Sequence, residues 1–332
     1  MQHSARYKIQ LTCTVGLLAV APSAGAADAP RAGAAAYPAK PIRIIVPFAP
    51  QGPNDILARL VGQKLTETWG QQVIVDNRPG GGTVIGTEVA ARAPADGYTL
   101  LMVSTSTAVN PTLKKSLPYD TLRDFAPVIR LAETPNVLAS HPSLPATNVA
   151  GLLKLARAKP GEITYASGGV GTSTHLGGEM LAIMGGVKMT HVPYKGAAPA
   201  TIALLSGEVS WQFSSILPTI PYLKSGRLRA LAVSGERRSP ALPDVPTVGE
   251  TVRGFGAYSW FGVFAPAGTP RDIIGKLNAE IARVLATPAL KEQLELDGAE
   301  VIANTPEQFA AHFKGEIAKW GKVVEAAGVK ER

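Results

Sequence analysis

The chain has 332 residues, of which 45% are hydrophobic, and a formal net charge of +8 at pH 7. A mature chain of about three hundred residues exceeds a comfortable single hydrophobic core, so the length predicts two lobes. The basic residues are scattered singly rather than massed beside aromatic residues, which excludes nucleic acid as the expected partner and favours small anions.

The first 26 residues have the pattern of an export signal. A basic start precedes an apolar run over residues 9–20, and small residues allow cleavage near Ala26. The run is shorter than the roughly 20 residues that cross a bilayer, which disfavours a membrane anchor. The sequence therefore predicts a periplasmic mature protein that begins with an alanine-rich linker over residues 27–36.

Strand and helix patterns alternate after the linker, which is typical of doubly wound parallel sheets. The apolar run 42–48 predicts a buried strand, and apolar residues at helical spacing from Ile56 to Leu65 predict the helix that follows. The other elements predicted in this part are a strand over residues 72–77, a helix over 83–92 and a strand over 99–103.

A second series of elements follows the proline-rich connection over residues 141–145. Its predicted helices cover residues 149–158, 174–184, 199–205 and 219–224. Its predicted strands cover residues 163–166, 189–192, 209–213 and 228–233. Residues 258–265 are expected to be extended and to cross back to the first part of the chain. Helices over residues 271–285, 289–296 and 307–327 are expected to pack there, because they have no sheet of their own.

These elements predict an α/β protein with two doubly wound sheets, one in each lobe. Lobe 1 is predicted to comprise residues 37–138 and 261–332, and lobe 2 residues 139–260. In open α/β sheets, ligands bind beyond the carboxyl ends of the strands. The predicted site therefore lies where the strand-to-helix turns of the two lobes face one another.

The turn after the first strand has features of an anion site. Gly52 lets the backbone approach a ligand closely, Pro53 suits the start of a helix, and Asn54 or Asp55 can cap it. A helix start carries unpaired N–H groups and about half a positive charge, so it attracts a carboxylate without a basic side chain. A capped turn without a ligand is the alternative interpretation. Asp55 is expected to orient the loop, because its charge repels an anion.

The turn over residues 167–175 is richer in glycine and hydroxyl groups. It matches neither G-x-x-x-x-G-K-[ST] nor G-x-G-x-x-G, which disfavours a nucleotide phosphate and favours a small carboxylate. Two such turns that face one cleft would grip a small diacid. His175 could donate to the ligand or could be structural, and both interpretations stay open.

Two further polar segments follow the strands of lobe 1. Hydroxyl groups at residues 104–107 come directly after the strand over residues 99–103, so Ser104 and Thr105 are predicted to line the lobe 1 side of the cleft. A polar loop without a ligand is the alternative. Residues 78–82 could form another anion nest, but a tight turn that supports the sheet is the preferred interpretation.

The sequence offers little for enzyme chemistry. It contains no G-x-S-x-G or H-E-x-x-H motif, and its histidines are far apart. The only cysteine, Cys13, lies in the predicted signal, so the mature chain is expected to have neither a disulfide nor a thiolate metal site. We therefore expect no catalysis, cofactor or metal. The alternative is a secreted hydrolase or lyase that acts on a small carboxylate through His175 and Ser173.

Six segments of the chain carry a family resemblance when they are taken jointly. They are YP at residues 37–38 with PIRIIVPF at 41–48, DNRPG at 76–80, ADGYTL at 95–100, VPYKG at 192–196, LPDVPT at 242–247 and APAGTP at 265–270. From about Tyr37 to Lys330, the chain resembles the substrate-binding receptors of tripartite tricarboxylate transporters, the Bug family of extracytoplasmic solute-binding proteins.

The resemblance implies a periplasmic-binding-protein-like Venus-flytrap fold of type II. It also implies a small organic carboxylate held between the lobes by backbone amides, hydroxyl groups and waters, and passed to membrane permease subunits. A monomer is the default for this design. By position in the family, the site in lobe 1 comprises Phe48, Ala49, Pro50, Gln51, Gly52, Asn54 and Asp55. The site in lobe 2 comprises Gly169, Gly171, Thr172, Ser173 and His175, to which the turn itself adds Ser167.

The chain departs from the family at one point. Gly-Gly usually follows the Phe-x-x element, whereas this chain has Gln51, Gly52 and Pro53. Pro53 removes an amide hydrogen, and Gln51 adds a side chain that both donates and accepts hydrogen bonds. The departure predicts a ligand other than a plain dicarboxylate, for example a longer or amide-bearing acid.

Overall fold

The computed structural model describes residues 37–50, 52–194, 196–296 and 298–329, which belong to one compact unit. The predicted signal and linker and one predicted site residue, Gln51, lie outside the described residues. Across the described ranges, no helix combines the length and hydropathy needed to cross a membrane.

Ten strands and ten helices form the described part of the chain. The strands are β1 (Ile42–Val46), β2 (Val73–Asn77), β3 (Thr99–Ser104), β4 (Phe125–Ser140), β5 (Thr164–Ser167), β6 (Thr190–Pro193), β7 (Trp211–Ser215), β8 (Arg229–Val233), β9 (Tyr258–Pro266) and β10 (Glu300–Val301). The helices are α1 (Pro53–Trp69), α2 (Val84–Ala91), α3 (Thr105–Leu113), α4 (Val149–Ala158), α5 (Ser173–Gly185), α6 (Ala197–Leu205), α7 (Ile216–Lys224), α8 (Arg271–Leu285), α9 (Pro288–Leu296) and α10 (Pro306–Ala327).

The first lobe is built on β1, β2, β3 and β9. β1 pairs in parallel with β2 and β3, and β9 runs antiparallel to β3. Because β1 is covered by helices, its residues are almost uniformly apolar, and Ile42, Ile44 and Val46 join the core that α1 and α8 also supply. The observed order of strands and helices in this lobe confirms the predicted order.

The second lobe is built on β5, β6, β7 and β8. β5 pairs in parallel with β6 and with β7, so the carboxyl ends of these three strands lie at one edge of the sheet. A helix follows each of them, which brings the starts of α5, α6 and α7 to that edge. This arrangement concentrates unpaired helix N–H groups in one region.

The sequence analysis did not predict β4, which joins the lobes. Its first part pairs with β9 and its last part pairs with β7 and β8, so the two predicted sheets share one strand. β9, which was expected as an extended crossover, runs back beside it. These two strands form the connection between the lobes.

Two further expectations need correction. The hydroxyl-rich segment after β3 is not a loop but the start of α3, a helix that contains Pro111. The helices at the end of the chain do not pack on the first lobe alone, because α10 contacts α3 and β4 and also α5 of the second lobe. Glu316 of α10 accepts hydrogen bonds from the indole N–H groups of Trp260 and Trp320, each at 2.7 Å.

Candidate functional site

The first loop, residues 47–52, joins β1 to α1. Phe48 is partly buried against the core of the first lobe, whereas Ala49 and Pro50 are exposed. Gly52 is extended (φ −81°, ψ 167°) and precedes Pro53 at the first helical position, so no side chain caps this helix. An uncapped helix start leaves backbone N–H groups for other acceptors.

Hydrogen bonds around Asp55 hold the first loop in place. The Asp55 carboxylate is only 3% exposed and accepts hydrogen bonds from the Asn77 amide (2.9 Å) and from the Arg59 guanidinium (3.0 Å). The same Asn77 amide nitrogen donates to the carbonyl oxygen of Phe48 at 3.1 Å. Asp55 is thus engaged with protein groups, and Asn77, which the sequence analysis did not single out as a site residue, joins β2 to the loop.

Asn54 lies beside Asp55 at the start of α1. It is 7% exposed, and its buried Oδ1 accepts no hydrogen bond from the described residues. A buried amide oxygen without a donor costs roughly 1–3 kcal/mol, so such atoms usually have a partner. Asn54 is therefore a polar group beside the first loop with an unmet hydrogen-bonding need.

Ser104 and Thr105 lie at the start of α3, and both are buried. The backbone N–H of Ser104 donates to Thr107 Oγ1 at 3.3 Å, which stabilises the helix start. Thr105 Oγ1 accepts a hydrogen bond from the Trp260 N–H at 3.5 Å, a long contact that ties α3 to β9. These residues thus lie at the strand that connects the lobes.

The second loop, residues 167–172, joins β5 to α5 and is closed by its own side chains. The Gly169 N–H donates to Ser167 Oγ (3.1 Å), and Thr172 Oγ1 donates to the Gly169 carbonyl oxygen (2.7 Å). Gly169 (φ +127°) and Gly171 (φ +80°) adopt conformations that other residues rarely take. The amide hydrogen of Gly169 is therefore used inside the loop.

A hydrogen bond to His175 supports the second loop. His175 is 2% exposed, its Nδ1 accepts a hydrogen bond from the Gly171 N–H (3.2 Å), and its ring stacks on His191 at 3.9 Å. Burial, with a smaller effect of His191, lowers the pKa of His175 to about 3, and burial lowers the pKa of His191 to about 4. Both imidazoles are therefore neutral at pH 7, as the Gly171 hydrogen bond requires.

Buried Tyr165 and partly exposed Glu179 complete this group. The Tyr165 hydroxyl donates to Glu179 Oε1 at 2.5 Å, and that oxygen lies 3.7 Å from His175 Nε2. Burial raises the pKa of Glu179, although the hydrogen bond from Tyr165 opposes this effect. Each ring nitrogen of His175 therefore has a neighbour: the Gly171 N–H at Nδ1 and the Glu179 carboxyl group at Nε2.

The start of α5 faces a cavity of about 50 Å³ in the second lobe. The backbone N–H groups of Ser173 and Thr174 find no acceptor among the described residues, as expected at the start of a helix. None of the described residues that line the cavity is charged. They are Gly168, Thr174, Ala197, Ala200, Thr201, Gln212, Phe213, Ser214, Ser215, Pro218 and Thr219.

The sequence analysis missed the polar side chains of this cavity. Gln212 and Ser214 alternate along β7 and so point to one face of the sheet, toward Thr201 of α6. Two polar residues two positions apart in an otherwise buried strand are the signal that could have identified them.

Contacts with α3 and β9 position the second loop. A β-carbon on Gly171 would lie 2.6 Å from Cδ2 of Leu113 in α3, and Ser173 Oγ lies 2.7 Å from Ser259 Oγ in β9. β9 also contacts Thr105, so residues of both lobes meet at the start of this strand. Within the described residues, no hydrogen bond or ion pair joins the first loop to the second loop.

The geometry does not assemble the alternative catalytic pair. The Ser173 hydroxyl contacts Ser259, and His175 Nδ1 contacts the Gly171 N–H, so the described structure contains no hydrogen bond between Ser173 and His175. Nor does the described part of the chain contain a group of three or more His, Cys, Asp or Glu side chains that could hold a metal ion.

Comparison with known proteins identifies the family. The family described as "Tripartite tricarboxylate transporter family receptor" matches residues 57–329. Protein BugT of Bordetella pertussis is 39% identical over 297 residues, which cover 89% of this chain and 91% of BugT.

Solved structures give the same result. R. palustris Rpa4515 with adipate has a TM-score of 0.80 and 38% identity, covering 88% of this chain and 98% of that chain. MatC (Rpa3494) from Rhodopseudomonas palustris with bound malate has a TM-score of 0.77 and 31% identity, covering 87% of this chain and 100% of that chain. The resemblance inferred from the sequence is confirmed. The chain belongs to the receptor family of tripartite tricarboxylate transporters, the Bug family of solute-binding proteins.

Proposed function

We propose that this protein binds one small organic carboxylate between its lobes in the periplasm and delivers it to the membrane subunits of a tripartite tricarboxylate transporter. The observation that carries the proposal is the start of α5, where the N–H groups of Ser173 and Thr174 are unpaired beside an uncharged cavity. The relatives whose structures hold adipate and malate support the same class of ligand.

The proposed site combines the starts of helices from both lobes. In the first lobe it comprises Phe48, Ala49, Pro50, Gln51, Gly52, Asn54 and Asp55, with Ser104 and Thr105 beside them. In the second lobe it comprises Ser167, Gly169, Gly171, Thr172, Ser173 and His175. Within this set, Asp55 and His175 act as positioning residues, because their polar atoms already contact the protein. The proposed lobe 1 comprises residues 37–138 and 261–332, and the proposed lobe 2 comprises residues 139–260.

Neutral donors suffice for such a ligand. A hydrogen bond to a charged group contributes about 1.5–3 kcal/mol net, and a micromolar dissociation constant corresponds to about 8 kcal/mol. Association itself costs roughly 4–15 kcal/mol, so several well-aligned donors in each lobe are needed. No buried arginine is required.

A thermal-shift screen of the mature protein against C4–C6 carboxylic acids tests the proposal. At a hundredfold excess over the dissociation constant, a true ligand should add about 2.7 kcal/mol to the free energy of unfolding and be recovered unchanged. Failure of every acid to bind would contradict the proposal. Chemical turnover of a bound acid that Ser173→Ala abolishes would establish the hydrolase or lyase instead.

Three parts of the proposal, namely export, oligomeric state and delivery, have separate tests. N-terminal sequencing of protein recovered from the periplasm should show cleavage near Ala26, and an uncleaved chain would contradict export through this signal. Sedimentation analysis should show a monomer with or without the acid. Transport of the acid by membrane vesicles that carry a candidate permease should depend on adding the receptor.

A further inference from the structure

The cavity of the second lobe contains a buried glutamine whose amide is only partly paired. Gln212 is 2% exposed, and its Nε2 donates to Thr201 Oγ1 (2.9 Å) and to Ser214 Oγ. No donor among the described residues reaches its Oε1, which remains accessible rather than sealed inside the protein. Because Gln212 lines the cavity, this oxygen can accept a hydrogen bond from a ligand there.

The two hydroxyl groups beside Gln212 are also available. Thr201 and Ser214 each accept a hydrogen bond from the Gln212 amide, and no other contact of either hydroxyl occurs among the described residues. A hydroxyl that accepts one hydrogen bond can still donate its own proton. The wall therefore presents one carbonyl acceptor flanked by two hydroxyl donors.

The surroundings of Gln212 make room for a small polar group. Its neighbours across the sheet are Ala139 of β4 and Ala166 of β5, and Ala200 of α6 lies on the same cavity. The cavity of about 50 Å³ exceeds the roughly 10–15 Å³ that one water molecule needs. It can therefore hold a small polar group.

The cavity adjoins the start of α5. Gly168 of the second loop and Thr174 of α5 line it together with Gln212. A carboxylate at the unpaired N–H groups of Ser173 and Thr174 would therefore leave the other end of the same molecule to reach Gln212.

We propose that Gln212, with Thr201 and Ser214, selects a ligand whose far end is a neutral group that both donates and accepts hydrogen bonds, such as a carboxamide or a hydroxyl. This inference rests on the proposed function. A second ionised carboxylate only accepts hydrogen bonds, so it would satisfy the two hydroxyl groups but would repel Gln212 Oε1. The preferred solute is thus the half-amide or hydroxy acid rather than the diacid of the same length.

Titration calorimetry on matched acids tests this selection. The probes are the C4, C5 and C6 diacids, their half-amides and the unsubstituted monocarboxylates of equal length. For the wild-type protein, the half-amide of the best length should bind at least tenfold more tightly than the diacid. In Gln212→Leu, the half-amide should lose at least tenfold in affinity, while the unsubstituted acid should change less than threefold.

A matched control lies in the same cavity. Thr219 also lines it, but its hydroxyl donates to the Ser215 carbonyl oxygen at 2.7 Å rather than contacting Gln212. Thr219→Val should therefore preserve the ratio of half-amide to diacid affinity. If Gln212→Leu does not fold, Ser214→Ala replaces it, and the ratio should fall at least threefold because one donor is lost.

The outcomes separate this inference from the proposed function. If no acid binds to the wild-type protein, the proposed function itself fails. If acids bind but the diacid binds most tightly, the side-chain amide of Gln212 is turned by 180° so that its N–H groups face the cavity. The selection proposed for Gln212 is then wrong. An unchanged ratio in Gln212→Leu would overturn the inference in the same way.

Discussion

The first and second loops have equivalent positions, each between a strand and a helix, but different interactions hold them. The first loop depends on Asn77 and on an ion pair between Asp55 and Arg59, whose side chain is 54% exposed. The second loop depends on hydroxyl groups and on neutral His175, which is 2% exposed. An ion pair with one solvent-exposed partner responds to salt more strongly than a network of neutral groups does.

This difference indicates separate roles for the lobes. Because the second loop is closed by its own hydrogen bonds and packed on α3, we expect it to be preformed before the ligand arrives. The first loop has an uncapped helix and the unpaired Asn54 Oδ1, so we expect the ligand to complete it. The following substitutions and conditions test this contrast.

Gly171→Ala should have the largest effect. The new β-carbon would lie 2.6 Å from Leu113, and the backbone has φ +80°, so strain and overpacking should cost about 2–5 kcal/mol. Ligand affinity should fall at least tenfold. The control is Gly186→Ala, which has φ +61° but nothing within 4 Å, and it should cost only about 1–2 kcal/mol without changing affinity. Equal losses of unfolding free energy in the two variants, measured by urea unfolding, would refute packing of the second loop on α3.

Acid should destabilise the second loop next most strongly. The pKa values of His175 and His191, about 3 and about 4, lie below the ordinary 6.5, so the unfolded chain binds protons that the folded chain does not. The stability that the two neutral imidazoles contribute is therefore complete above pH 6.5 and should fall by about 2 kcal/mol between pH 6 and pH 4.5, mostly through buried His175, because solvent screens the partly exposed His191. Glu179, whose pKa is raised by burial, acts in the opposite direction.

Urea unfolding across this pH range measures the effect. His191→Gln should reduce the dependence on pH, and the remainder should come from His175 and from His312, whose pKa burial also lowers to about 4. A flat profile in the wild-type protein would show that the two stacked imidazoles are not buried as neutral groups.

Asn77→Ala should affect the first loop moderately. It removes hydrogen bonds to Phe48 and Asp55, which should cost about 1–2 kcal/mol and weaken ligand binding about tenfold. Asn278→Ala is the matched control, because Asn278 also donates to two acceptors, the carbonyl oxygens of Val128 and Asn304, away from both loops. It should lower stability similarly in urea unfolding and leave calorimetric affinity intact. Affinity lost equally in both variants would deny Asn77 a specific role.

Arg59→Gln should have the smallest effect. Arg59 is half exposed, and buried Asp55 keeps its hydrogen bond from Asn77, so the loss of the ion pair should cost about 1 kcal/mol and the difference from wild type should shrink in 1 M salt. Arg92→Gln removes a comparable i,i+4 pair with Glu88 on α2 and serves as the control for general charge effects. A large loss at high salt would mean that Arg59 supports the first loop by packing rather than by charge.

Local patterns were sufficient for most elements. The apolar run of β1, the turn with Gly52 and the helical spacing of α1 depend on neighbouring residues, and the structure places them where the sequence predicts. The same holds for α8, whose observed bounds equal the predicted range. β4 was missed because it contains prolines and pairs with strands far away in the chain, such as Leu138 with Phe213. α3 was missed because Pro111 and its hydroxyl groups are typical of a loop.

The sequence by itself determined the α/β class, the two glycine-containing turns and the family, since these follow from residue order and local backbone preference. Only the tertiary structure decided what each predicted site residue contacts. The sequence predicts that Asp55 orients its loop and leaves His175 open between a ligand contact and a structural role, whereas the partners Asn77 and Gly171 show that both side chains support their loops. Gln212 acquires a free carbonyl oxygen because β7 and α6, distant in sequence, take up its two N–H groups. Hydrogen-bond partners are set by packing between distant segments, and no local pattern encodes them.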